Sequence, residues 1–274
     1  MKAEGRRLPF LLGLSLTAVF VVAAIAGPLL YPADPNAQSL LNALQPPGRQ
    51  YPLGSDQFGR DVLARVLNGA RYSTGIALSV VSLSLATGIA LAGCALWARG
   101  VVGSGLSLVA DSIYAMPGLL VILVVAGVTG GSAITLVLLL WFVKWPEYYR
   151  LAYAAGRRIG SSDHVLASYL AGARPLAIFR LQVLPVMLPY LLGIGALSVG
   201  QTVLSIATLG FLGIGIAPPQ AEWGMMINEL RIHWQIASVQ LAAPTLAIIW
   251  VVLGLLILSQ SLSGHRNRMD EAFS

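Results

Sequence analysis

Six long apolar blocks, separated by short polar or Gly/Pro-rich stretches, organise the chain. The first runs from Leu8 to Leu30 behind Lys2, Arg6 and Arg7. As a helix it reaches roughly 34 Å, enough to cross a hydrocarbon core of about 30 Å. Ala24-Ile25-Ala26 resembles a signal-peptidase site, but the length of the run and the lack of a soluble domain behind it favour a retained span. Residues 31–73 are polar and rich in Pro32, Pro35, Pro46, Pro47, Gly48, Gly54 and Gly59, which predicts an extramembranous segment with a short helix over 59–69. A second span is expected over 74–97, followed by a turn at Arg99 and Gly100. The third covers 105–128, is broken by Pro117 and carries Asp111. Gly130-Gly131 then turns the chain into a fourth span over 133–153. The longest inner polar stretch, 157–182, leads to a Gly-rich, bent fifth span over 185–209. An outer segment at 213–236 and a sixth span over 237–262 precede a charged tail. The expected division is therefore 1–30 for the N-terminus and first span, 31–73 outside, and 74–262 for a five-helix core. Within that core lie a cytoplasmic loop at 156–183 and an external segment at 213–236, with 263–274 as the tail.

Composition changes this picture only by naming the solvent. Hydrophobic residues make up 57% of the 274 positions and charged ones 10%, with a mean hydropathy of +0.77. Soluble domains carry about 25% charged residues, so most of this surface must face lipid. The fold class is an all-α integral membrane protein. The net charge of +6 does not indicate nucleic acid, because the basic residues sit between apolar blocks rather than in one patch. They set topology instead. With the N-terminus inside, the inner segments hold Lys2, Arg6, Arg7, Arg99, Arg150, Arg157, Arg158, Arg174, Arg180, Arg266 and Arg268, and the outer ones Arg49, Arg60, Arg65, Arg71 and Arg231. That bias places both termini in the cytoplasm, and Asp34, Asp56 and Asp61 partly balance the outer arginines.

Candidate chemistry is sparse. A phosphate-binding loop needs a Lys after Gly, yet Lys2 follows Met1 and Lys144 follows Val143. There is no HExxH zinc motif, and the lone Cys94 allows neither a CxxC pair nor an internal disulfide. No catalytic residue and no cofactor are expected, and ATP chemistry would have to come from a partner. Asp111 in an apolar span costs about 2.5–3.5 kcal/mol on insertion scales, so it is expected to face protein or water. Lys144 and Glu147, three apart on a helix, can form a pair worth about 0.2–0.5 kcal/mol, or line a translocation path. Glu229 and His233 stand one turn apart, a spacing a metal could use, although two ligands are too few for a site.

Three strings carry a resemblance. Asp163 to Gly172, continuing to Leu184-Pro185, resembles the EAA loop of ABC-importer permeases. Leu166-Ala167-Ser168 stands at the triplet, Gly172 at its glycine and Leu184-Pro185 at its terminal pair, while the triplet's glutamate and second alanine are missing. Leu53 to Arg65, with Gly54, Asp56, Gly59, Arg60 and Asp61, then Gly69-Ala70-Arg71, resembles the segment before the second span of dipeptide, oligopeptide and nickel permeases. Phe211-Leu212-Gly213-Ile214-Gly215 with Glu222-Trp223-Gly224 resembles their signature after the fifth span. The family's charged C-terminal ending is replaced by Ser259 to Arg268. The resemblance implies a type I importer permease fold with six transmembrane helices in a bacterial inner membrane. It also implies a second homologous permease, two cytoplasmic ATPase subunits and an external solute-binding protein as partners, with the first span packing against the partner permease. Val165 to Ser168 and Ala221 to Asn228 look nickel-type, which favours nickel or a metal chelate as cargo over di- or oligopeptides. A secondary transporter, the alternative of another class, would need ionisable residues deep in several spans. For the loop, a helix over His164 to Ala171 is expected. Val165, Leu166, Tyr169 and Leu170 form its apolar face, and Gly172 ends it at positive φ.

Overall fold

The apolar blocks become long helices in the computed structural model, which describes residues 4–97, 101–216 and 218–263. The helices are α1 (Glu4–Leu30), α2 (Val62–Trp97), α3 (Val101–Ala115), α4 (Gly118–Thr129), α5 (Ala133–Gly160), α6 (Asp163–Leu170), α7 (Pro175–Ile178), α8 (Leu184–Phe211), α9 (Trp223–Leu230) and α10 (Ser238–Ser263). Among the described residues no strand forms, and an isolated bridge joins Ser55 to Asp61. The expected turn at Arg99–Gly100 and the tail over 264–274 lie outside the described residues.

Among the described residues, four segments are long and apolar enough to cross a membrane: Phe10–Leu30, Val62–Trp97, Pro175–Phe211 and Ser238–Ser261. The pair α3 and α4 adds a fifth if it counts as one span, bent by 78°. The break lies at Pro117, as expected. Proline offers no N–H to continue the ladder, and its carbonyl instead accepts from Leu120 and Val121 to start α4. The fourth expected span is present as α5, 28 residues long, with Lys144, Glu147 and Arg150 diluting its apolar character.

Two boundaries differ from expectation. The short helix over 59–69 and the second span are one 36-residue helix, about 54 Å long. Asp61 starts it, its Oδ1 accepting from the N–H groups of Leu63 (2.8 Å) and Ala64 (3.2 Å). The fifth span begins before Pro185. A π turn over Phe179–Val183 links α7 to α8 and keeps the chain helical from Pro175.

Two apolar cores hold the helices together. One gathers Phe20 of α1, Val80 of α2, Leu136 of α5, Ile206 of α8, Trp223 of α9 and Val251 of α10. The other joins Ala92, Tyr149, Val165 and Leu191 around α6. The first span, α1, packs on its own chain's α10. A Cβ on Gly13 would stand 2.6 Å from the Leu258 nitrogen, so the two backbones meet at a glycine, the small-residue contact that membrane helices use. Trp250 Nε1 also donates to the Leu16 carbonyl at 3.1 Å.

Candidate functional site

The string 53–65 folds as a tight loop because two of its residues need left-handed backbone. Gly54 has φ +81° and Gly59 φ +71°, and a Cβ on Gly59 would lie 1.9 Å from the Ser39 carbonyl oxygen. Inside the loop, Asp56 Oδ1 accepts from the N–H groups of Phe58 (2.9 Å) and Arg60 (3.0 Å). Its Oδ2 meets Arg60 Nε at 2.6 Å. The Arg60 fork continues to Glu229 Oε2 at 2.7 Å, and its guanidinium carbon lies 4.7 Å over the Phe58 ring. Arg65, one turn into α2, stands 3.5 Å from Asp56 and 3.9 Å from Glu229, and donates to the Pro35 carbonyl. Two cations and two anions thus neutralise each other in a site where Arg60 and Arg65 are each 1% exposed. Asp61, besides starting α2, accepts a hydrogen bond from the Tyr31 hydroxyl.

The string 211–224 answers from the other side. Phe211 ends α8, and Gly213 (φ +78°) turns the chain there, with the Ile214 N–H closing back on the Leu209 carbonyl at 3.0 Å. The Gly215 carbonyl lies so near Gly131 that a Cβ there would be 1.8 Å away, which pins the α4–α5 turn against this segment. Glu222 caps α9, its oxygens accepting from Gly224 N–H at 2.7 Å and Met225 N–H at 2.8 Å. Burial pushes its carboxyl up to about 7, the two backbone bonds opposing only part of that rise. Trp223 is fully buried and donates to the Val66 carbonyl at 3.0 Å. Its ring meets Phe20 edge-on at 5.9 Å. Gly69 and Gly224 are glycines for contact: a Cβ on Gly69 would strike the Trp223 ring at 2.8 Å, and one on Gly224 the Ala207 carbonyl at 1.9 Å. The two signature strings therefore form one buried layer joining α1, α2, α8 and α9. Glu229 belongs to that layer through Arg60 rather than to a pair with His233, and among the described residues no three His, Cys, Asp or Glu side chains gather as a metal site.

At the other end, α6 spans Asp163–Leu170. Its four apolar residues do not share one role. Val165 is buried in the second core, while Leu166 (52%), Tyr169 (51%) and Leu170 (79%) are exposed. Gly172 has φ +82°, and the Ala173 N–H reaches back to the Ser168 carbonyl at 3.1 Å, so the helix stops where the glycine predicts. Ala167 is exposed. Ser168 Oγ accepts from Gln182 Nε2 at 2.8 Å, which ties the triplet to the π turn just before Leu184 and Pro185. Those two residues open α8, where a proline is tolerated because its missing N–H falls in the first turn.

The polar residues of the spans divide. Asp111 and Arg150 pair at 3.6 Å across α3 and α5, each side chain more than half exposed, and Arg150 lies 4.9 Å over the Tyr114 ring. Lys144 and Glu147, both half-buried, do not form the expected pair: their charged groups are not among the ion pairs within 4.0 Å. The long-range partnership of Arg60 with Glu229 escaped sequence reasoning, since nothing local links residues 169 positions apart.

Residues 84–268 match the family described as binding-protein-dependent transport system inner membrane component. The chain is 34% identical over 256 residues to the di/tripeptide transport system permease protein DppC of Pseudomonas aeruginosa, covering 91% of this chain and 84% of that protein. It is 33% identical to the dipeptide transport system permease protein DppC of Haemophilus influenzae over 92% of this chain and 88% of that one. The nickel transport system permease protein NikC of Escherichia coli is 29% identical, over 93% and 92% respectively.

Proposed function

The chain belongs to the family of inner-membrane components of binding-protein-dependent transport systems, and from that premise we propose a short-peptide importer as the transporter it serves. It is a permease subunit of an ABC importer, and membership in that family replaces the secondary-transporter alternative. We read α5 as a sixth span beside the five apolar segments, with both termini in the cytoplasm as the inner excess of arginine requires. On this reading a second permease pairs with the chain, two ATPase subunits dock from the cytoplasm and a solute-binding protein delivers cargo outside.

The observation that carries the mechanism is α6. Leu166, Tyr169 and Leu170 stand exposed on an eight-residue helix between two long helices, and Val165 anchors it to the core. An ATPase cleft would cover that apolar face. Because Ser168 is bonded to Gln182, motion of α6 would pass into the π turn and α8, and tilting α8 would switch the path between outward and inward access. Gly172, Leu184 and Pro185 set where the lever stops and where α8 begins. Asp111, with Arg150, is suited to a wet path or a partner interface, since an exposed charge pair has no place against lipid. Lys144 and Glu147 remain candidates for the same path.

The strings that suggested nickel, Val165 to Ser168 and Ala221 to Asn228, contain the core residues Val165, Trp223 and Met226, so packing alone can account for them. The relatives named for di- and tripeptides match at higher identity than the nickel permease, which favours peptides. The test is uptake of radiolabelled dialanine and of labelled nickel in cells lacking the gene. Dialanine uptake is expected to fall and to return with the gene supplied in trans. Unchanged dialanine uptake with lost nickel uptake would reverse the choice.

A further inference from the structure

The string Asn68-Gly69-Ala70-Arg71-Tyr72 contains two structural roles. Gly69 gives its surface to Trp223, whereas Arg71 is exposed and belongs to a different feature. With Asn68 and Tyr72 it lines a cavity of about 450 Å³, whose other walls include Asn36 of the external segment, Ala133 at the start of α5, and Gln220. A volume of that order lies within the range of small-molecule sites, roughly 300–1,000 Å³.

The lining favours a negatively charged group. Among the described residues, Arg71 is the one charged member of the lining and takes part in no ion pair within 4.0 Å. Of the nearby acids, Asp61 holds Tyr31 and Asp56 lies within the Arg60 network, while Asp34 is exposed to water, accepts the Asn36 N–H at 2.9 Å and forms no ion pair with Arg71 within 4.0 Å. Ala133 opens a 28-residue helix, whose positive end borders the same space. A guanidinium is the group that a small carboxylate needs.

We propose that this cavity binds the carboxylate of a small solute through Arg71. The solute's being a short peptide rests on the function proposed above. The site lies at the end of α2 that carries the external layer, so it would hold cargo at the mouth of the chain before passage.

The test uses the whole transporter reconstituted in liposomes, with Cys94→Ala and a reporter Asn68→Cys on the cavity wall. Modification rates are compared for the anionic sulfonatoethyl and the cationic trimethylammonioethyl methanethiosulfonates. With each rate taken relative to that for a free thiol, the anionic reagent is expected to gain about fivefold over the cationic one, a factor one nearby charge can produce in a solvated pocket. Dialanine should slow the reaction and dialaninamide should not. Arg71→Gln should remove both the charge preference and the protection, and Arg71→Lys should retain part of each. Gln220→Cys serves as the reporter on the opposite wall where Asn68→Cys assembles poorly. Absence of protection by dialanine and acetate, or equal protection in Arg71→Gln, would overturn the proposal. Protection through Arg71 without dialanine uptake would sustain the site and remove the peptide reading; uptake without protection would do the reverse.

Discussion

Replacing Arg60 with leucine removes the centre of the buried network while keeping a side chain that packs. Its Nε and terminal nitrogen hold Asp56 at 2.6 Å and Glu229 at 2.7 Å, so the substitution leaves two carboxylates facing one remaining cation. Removing one partner of a buried ion pair costs about 3–5 kcal/mol, because the other charge stays desolvated and unpaired. Two features pull the expected cost toward about 3. Arg65 already stands 3.5 Å from Asp56 and 3.9 Å from Glu229 and can close on either. Glu229 also keeps some access to water, its side chain being 15% exposed. For a chain of this size each kcal/mol moves the thermal midpoint by about 2–4 °C, so Arg60→Leu should lower it by roughly 6–12 °C. The assay is thermal unfolding of the purified complex followed by tryptophan fluorescence, to which Trp223 contributes from the same layer. Glu229→Gln keeps the shape and should cost less, about 1–2 kcal/mol. In Arg60→Leu/Glu229→Leu the second change should cost far less than it does alone, because the partner is already gone. An unchanged midpoint in Arg60→Leu, or strictly additive losses in the double variant, would refute the claim that this network holds the external layer.

The membrane-spanning blocks were legible because lipid imposes the same demand on every residue that faces it, and a run such as Leu8 to Leu30 has no other solvent. Legibility failed where one helix serves two environments. Arg65, Asn68 and Arg71 interrupt the apolar pattern and suggest a separate outer helix, yet α2 continues through them, because Arg65 finds its counter-charges inside the external layer. The same holds at the start of the fifth span, where the polar stretch Arg174 to Gln182 is helical through a π turn. Of the site, Gly172 could be read directly, since its need for positive φ is a local property. Arg60 and Trp223 could be recognised only as parts of strings. Their partners, Glu229 and the Val66 carbonyl, lie 169 and 157 residues away, and no periodicity carries that information.

Two further outcomes follow from single groups. Gly172→Val meets no neighbour within 4 Å of its Cβ, so its cost is the backbone alone, about 1–2 kcal/mol at φ +82°. The subunit should insert normally, co-purify poorly with its ATPases and lose uptake, while Gly172→Asn, which tolerates that φ, should keep it; normal uptake in the valine variant would remove α6 as the lever. Glu222 should give the external layer an inverted pH response. Its folded value of about 7 lies above the ordinary 4.5, so between those values the folded chain holds a proton that the unfolded chain has released. Stability is therefore highest below pH 4.5 as far as this group is concerned, and falls as pH rises toward 7, by up to about 3 kcal/mol. That slope is opposite to the one an ion-paired carboxylate produces. Glu222→Gln keeps an oxygen for the Gly224 N–H but cannot ionise, so its thermal midpoint should fall less than the wild type's between pH 5 and 7. Parallel midpoint curves for the two proteins across that window would mean that Glu222 is not the group that titrates.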